Sequence, residues 1–286
     1  MKLQQAVNLA VANVLHEGLT DIFPRPFEID LLKNKHFADH IRETVVPCLN
    51  SGSLAGLKMH AIQHVILPKK DAFDFRRCAL IHPLDTIKYL ALALTIADEI
   101  EKHRVPKSKH IVYSYRFAPL KNMLFDRRYV FDTFRHRVTT NVKRKAVNVL
   151  VRCDIANFYD RLNLHRLEST LSSLGIDHKI VRLINELLLF WANRDSYGLP
   201  IGSNASRILA EASLIEVDQY LLDHGVSFIR FVDDYRMFSK DAKSAHAWLT
   251  MLIERLSIEG LAINTSKTRI EDVATLTSVQ TESDNS

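Results

Sequence analysis

From Gln4 to Leu19 the apolar positions Val7, Leu9, Ala10, Val11, Val14 and Leu15 recur at close to helical spacing, and Gly18 suits that helix's end. Phe23-Pro24-Arg25-Pro26 breaks the pattern. Asp30 to His40 and Ile41 to Leu49 read as two further short helices around Pro47, with a turn at Ser51-Gly52-Ser53. The period then changes: Val65-Ile66-Leu67-Pro68 is strand-like, Lys69-Lys70-Asp71 a loop, and Arg77 to Ile81 a returning strand. Asp85 to Lys102 predicts a strong helix, with Asp85 placed to cap it and Ile87, Leu90, Ala91, Leu94 and Ala97 on one face. Leu162 to Leu174 and Ile180 to Trp191 predict two helices separated by Gly175, Ser206 to Leu222 a third and Ala242 to Leu256 a fourth. Among them lie three apolar strand candidates: Val149 to Cys153, Ser227 to Val232 and Tyr235 to Ser239. This order describes an α+β fold with helices covering one face of an antiparallel sheet.

Candidate chemistry sits at the ends of those strands. Aspartate is disfavoured inside strands, so Asp233-Asp234, between two apolar runs, marks a tight hairpin. Such a pair alone is an ordinary Asp-rich turn. A second acidic element 79 residues upstream changes that reading: the run Val149 to Cys153 ends in Asp154-Ile155-Ala156-Asn157-Phe158-Tyr159-Asp160. An acid at the end of a buried strand is costly unless a cation meets it. If the two strands are neighbours, Asp154 and Asp233 converge, and Mg²⁺ between repelling carboxylates relieves them. Two such ions clamp the attacking and leaving oxygens of a phosphoryl transfer.

These residues resemble the reverse transcriptase (RNA-directed DNA polymerase) family. Asp154 to Asp160 looks like the first palm motif, Gly198-Leu199-Pro200-Ile201-Gly202 with Ser206 like the template- and nucleotide-facing loop, and Phe231-Val232-Asp233-Asp234 like the aromatic-x-Asp-Asp hairpin. Gly260 to Asn264 with Lys267-Thr268 is similar to the next motif, and all four stand in family order within about Val65 to Ile270. Ser206 to Glu211 followed by Asp218 resembles bacterial abortive-infection and other phage-defence members. The resemblance implies a right-hand polymerase fold: a helical N-terminal region over 1–64, fingers over 65–148, a palm over 149–272 and a flexible tail over 273–286. It implies Asp154, Asp233 and Asp234 as the catalytic acids of a metal site for two Mg²⁺ (or Mn²⁺), with Asp154 and Asp233 as ligands and Asp234 either behind them or a weaker ligand. A 3′-hydroxyl would attack the α-phosphorus of a deoxynucleotide, and pyrophosphate would leave.

Nucleotide contacts follow from the same resemblance. The hairpin near Val65 is similar to the fingers hairpin whose lysine and arginine clamp the triphosphate; Lys69 and Arg76 fit, or Lys70 and Arg77 in the other register. Tyr159 stands where the family places an aromatic beneath the sugar, Gly202 where backbone approaches the nucleotide, and Lys267 where an ammonium meets the leaving pyrophosphate. Ile201 replaces a polar Gln, which leaves template-independent synthesis as an alternative. An RNA template, a DNA or protein primer and dNTPs are the implied partners. Only 16 residues follow Ile270, so the primer grip and thumb are expected to be missing, or supplied by another copy or a partner. A non-catalytic nucleic-acid-binding module remains a rival reading.

Composition adds less. At 286 residues with 47% hydrophobic and 25% charged, the chain can bury a large core as an ordinary globular protein. The longest nearly apolar stretch, Tyr89 to Ala97, is about half a spanning helix, and no signal peptide opens the chain. Cys48, Cys78 and Cys153 are scattered without a Cys-x-x-Cys pair, which suits buried thiols in a reducing cytoplasm rather than zinc. A net charge of +5 is mild, but Lys121, Arg127, Arg128, Arg135, Arg137, Lys143, Arg144 and Lys145 cluster with Phe125, Tyr129, Phe131 and Phe134. Arg127, Arg128, Arg135 and Arg137 are the expected phosphate contacts on nucleic acid.

Overall fold

The computed structural model describes residues 1–19, 23–69, 75–192 and 195–275. Helix α1 (Leu3–Glu17), a 3-10 segment (Phe27–Lys33), α2 (Lys35–Asn50) and α3 (Leu54–Leu57) precede strands β1 (Gln63–Pro68) and β2 (Phe75–Leu80). The long α4 (Pro83–His103) follows, then β3 (Phe117–Leu120), β4 (Met123–Phe125), α5 (Phe131–Val142) and β5 (Val149–Asp154). Helices α6 (Phe158–Arg161), α7 (Leu164–Ser173), α8 (His178–Trp191), α9 (Asn204–Ala212) and α10 (Ile215–Asp223) lead to β6 (Phe228–Phe231) and β7 (Asp234–Ser239). Helix α11 (Ala242–Ile258) and β8 (Arg269–Asp272) complete the order. The fold is mixed α+β with antiparallel sheets, as expected.

Two compact units interleave along this order. One is built from Met1–His103, Phe117–Phe125 and Leu162–Ser213, the other from Arg104–Arg116, Asp126–Arg161 and the chain from Leu214 onward. The divisions at 64, 148 and 272 do not follow these boundaries.

The first unit is centred on α4, which is buried almost all round and packs against α1 through residues such as Ala6, Ala10 and Val14. Asp85 does not cap α4 from outside; the helix opens on Pro83, a favoured first-turn residue, and Asp85 lies two residues inside. Its buried carboxylate accepts from the His60 backbone N–H at 2.6 Å and from Lys88 Nζ at 3.2 Å. Helix α2 runs as one piece through Pro47 where two were expected, because the proline falls in its last turn. Strands β1 and β2 pair antiparallel from Gln63↔Leu80 to Pro68↔Phe75. The expected helix from Ser206 to Leu222 is two, α9 and α10, broken at Ser213.

The second unit holds a four-stranded sheet of order β6-β7-β5-β8, antiparallel throughout. Its alternation sorts the side chains. Val149, Val151, Cys153, Phe228, Arg230, Tyr235, Met237 and Ser239 are buried on one face, under α10 and α11. The opposite face carries Leu150, Arg152, Asp154, Asp234, Arg236, Phe238 and Ile229. Helix α5 covers the lower part of that face, where Tyr113, Tyr129, Phe134, Leu150, Ile229 and Phe238 form a core cluster. Cys78 and Cys153 are buried free thiols, as expected of both; Cys48 is only half-buried.

Candidate active site

Register alone brings the acids together. Asp154 ends β5 and is the cross-strand partner of Asp234, which starts β7. Asp233 fills the second position of the two-residue turn joining β6 to β7, and its carbonyl accepts from the Ile155 N–H at 3.1 Å. The first turn position is Val232, held at φ 55°, a left-handed conformation that costs a β-branched residue strain and normally calls for glycine. That strain is held from below: the fully buried Arg230 donates to the Val232 carbonyl at 2.8 Å. Asp218 of α10 binds the same guanidinium through Nη2 at 2.6 Å and Nε at 2.9 Å, and Tyr235 Oη donates to Asp218 at 3.1 Å.

Electrostatics mark the same spot. Burial, then the neighbouring Asp154 charge, pushes Asp233 up to about 7, with Asp234 adding to it. Two cations answer the acids. Residues beyond Leu261 run beside the end of β5: Ala156 N–H donates to Ala262 at 2.8 Å and Asn264 N–H to the Asp154 carbonyl at 2.7 Å. This carries Lys267 to the site, where Nζ meets Asp154 Oδ2 at 3.2 Å. Burial lowers the Lys267 pKa, but the Asp154, Asp233 and Asp234 carboxylates outweigh it and the net shift is upward. The second cation, Arg236, donates to Asp234 Oδ1 at 3.2 Å.

The donor set is hard carboxylate oxygen with unrelieved repulsion, which fits Mg²⁺ or Mn²⁺ and not a thiophilic ion. Among the described residues the three aspartates do not gather within 4.8 Å of one another, unlike His60, His82 and Asp85 in the first unit. In that trio Asp85 is already satisfied by His60 and Lys88.

The other expected residues divide between the units. Tyr159 lies on α6, partly buried, its ring 5.5 Å from Phe158, which is buried. Arg127 and Arg128 occupy a turn before α5, and Asp126 holds Arg128 through two bonds of 3.0 and 2.8 Å. Arg135 and Arg137 lie on α5, Arg135 exposed and Arg137 half-buried. In the first unit Gly202 has φ 104° and Gly198 φ 101°, backbone that only glycine adopts freely. Lys69 follows β1, Arg76 is exposed on β2, and Arg77 bonds His64 at 3.2 Å. Lys70 lies outside the described residues. Sequence reasoning missed Arg236 and Arg230; for Arg236 the signal available was its place two positions along the strand from Asp234, hence on the same face, whereas Arg230 lies on the opposite face.

The chain belongs to the reverse transcriptase (RNA-dependent DNA polymerase) family, whose model matches residues 67–279. Enzymes of this family are nucleotidyltransferases that use divalent metal ions. Among solved structures the chain is similar to telomerase from Candida albicans in complex with a fragment of telomeric RNA, at 12% identity and TM-score 0.52, covering 84% of this chain and 47% of that one. It is also similar to apo telomerase from Candida tropicalis, at 11% identity and TM-score 0.53, covering 75% and 44%. At this identity the likeness is one of fold, and the chain spans about half the length of those structures. No curated protein matches the sequence. Among the described residues no helix is long and apolar enough to cross a membrane.

Proposed function

We propose that this chain is the fingers and palm of an RNA-directed DNA polymerase that adds deoxynucleotides to a 3′-hydroxyl. The observation that carries the reading is the meeting of Asp154 and Asp233 at adjacent strand ends, with Asp233 pushed up to about 7. Asp154 and Asp233 would hold the divalent ions, with Asp234 beside them. When bound, such ions lower the pKa of the attacking hydroxyl and neutralise charge on the leaving pyrophosphate. Lys267, charged and mostly exposed beside Asp154, presents a proton at Nζ to the departing phosphates. Lys69 and Arg76, or Lys70 and Arg77, hold the triphosphate; Tyr159 lies under the sugar and excludes a 2′-hydroxyl; Gly202 lets backbone approach the nucleotide. Arg127, Arg128, Arg135 and Arg137 contact the nucleic-acid backbone.

The test is primer extension on a defined RNA template with a DNA primer, dNTPs and Mg²⁺. Templated extension by the wild type that drops about 1,000-fold or more in Asp233→Ala supports the reading. Equal, background-level signals from both folded proteins overturn it and leave a binding module. Ile201, in place of the family's Gln, favours one variant: extension that ignores template sequence would assign template-independent synthesis. The likeness of Ser206 to Asp218 to abortive-infection enzymes supports a role in bacterial antiphage defence, and the free cysteines suit a cytoplasmic setting. Loss of phage resistance in cells carrying Asp233→Ala tests the defence role.

A further inference from the structure

Asp154 and Asp234 each meet a cation at 3.2 Å, yet the two cations are tethered differently. Lys267 reaches Asp154 on a flexible side chain that is 63% exposed. Arg236 is 15% exposed, donates a second bond to the Tyr235 carbonyl at 2.9 Å and lies 5.7 Å over the Phe134 ring. Two-residue spacing on β7 puts Arg236 and Asp234 on the same face of the strand. Its cross-strand partner Arg152 is itself paired with Glu271 of β8, so the two arginines each have an acid. A screened lysine pair gives way when a divalent ion arrives; a partly buried guanidinium fixed on three sides does not.

We propose that Arg236 is a positioning residue that keeps the Asp234 carboxylate out of the ion-binding set, leaving a two-acid centre of Asp154 and Asp233. The inference rests on the reading of those acids as the metal site. It accords with the failure of the three carboxylates to gather within 4.8 Å of one another. It also accords with nucleotide-transferring sites that bind Mg²⁺ through one or two carboxylates and complete it with substrate phosphates. A third free carboxylate would tighten ion binding to the empty protein, before the nucleotide arrives.

The test is Mn²⁺ binding to the full chain without nucleic acid or nucleotide, read by electron paramagnetic resonance, with circular dichroism to confirm folding. Asp154→Asn and Asp233→Asn should each weaken Mn²⁺ binding about tenfold or more, and Asp234→Asn by less than about threefold. Arg236→Leu should tighten binding several-fold by releasing Asp234, and Asp234→Asn added to it should cancel the gain. If Asp234→Asn weakens binding as much as Asp233→Asn does, the inference is overturned while the metal site stands. If none of the three aspartate variants alters binding, the metal-site reading itself fails. Should Arg236→Leu not fold, Arg236→Lys, which keeps the charge but not the guanidinium plane over the Phe134 ring, takes its place.

Discussion

At the scale of single residues, Asp233 shows how a functional position is set against stability. Burial and the Asp154 charge penalise its carboxylate, so at neutral pH without divalent ions Asp233→Asn should raise the melting temperature, even as it abolishes incorporation. Added Mg²⁺ should stabilise the wild type and leave Asp233→Asn almost unmoved, which a pair of thermal melts decides. Asp126 behaves oppositely. Hydrogen bonds from Arg128 hold its pKa down to about 2 against the opposing effect of burial, so the ionised form is favoured by folding. That contribution is whole above the unfolded pKa near 4 and is lost as pH falls through about 2. Urea midpoints between pH 5 and 2.5 should therefore fall more for wild type than for Asp126→Asn. Asp154 was legible because an acid closing a buried apolar run is costly without a cation, and Asp233, alone an ordinary turn residue, because a second acidic strand end accompanies it. Arg236 was not, because an arginine in a strand reads as a solvated edge until the pairing shows which carboxylate shares its face.

Individual elements show where local pattern suffices. Helix α4 was readable from its apolar spacing, and the hairpin of β6 and β7 from two apolar runs around an Asp pair. The break between α9 and α10 was hidden, because Leu209, Ala212, Leu214, Val217 and Leu221 keep apolar spacing through it and Ser213 bonds back to the Ala210 carbonyl. The β3–β4 turn was hidden too: Lys121 takes φ 55° there without the glycine that announces such turns. Helix α5 was hidden as well, because only Phe131, Phe134, Val138 and Val142 of its 12 residues are apolar. The β6–β7 hairpin also carries a stability prediction. Asp218→Ala strands the fully buried Arg230 charge and frees the strained Val232 carbonyl's partner, a loss expected at about 3–5 kcal/mol in denaturant unfolding. Asp218→Leu with Arg230→Met should recover most of that stability. Incorporation should stay low in this double variant, because the Val232 carbonyl then loses the guanidinium that holds the strained turn presenting Asp233.

For the whole molecule, charge placement and chain interleaving each have a measurable consequence. Of the basic residues around α5, Arg128 is committed to Asp126 while Arg135 is exposed on the helix. Arg135→Ala should reduce the salt dependence of nucleic-acid binding by about one phosphate contact, and Arg128→Ala by less, in filter binding across a salt series. Interleaving bears on what can be cut. The sheet-bearing unit takes Arg104–Arg116 and Asp126–Arg161 as well as the chain from Leu214 onward. Tyr113 N–H donates to the Arg230 carbonyl at 2.8 Å and Arg230 N–H to Ile111 at 2.9 Å, extending the sheet beside β6. Tyr113, Tyr129 and Phe134 supply half of the six-residue cluster under α5. A fragment cut at 149, where the motif-bearing strand begins, loses those rings and leaves the β6 edge unpaired while keeping all three aspartates. Each lost aromatic of this kind removes about 3–5 kcal/mol, so the deficit exceeds the usual stability of a domain. Residues 149–275 alone should therefore show no cooperative thermal transition by circular dichroism, whereas the full chain should melt cooperatively.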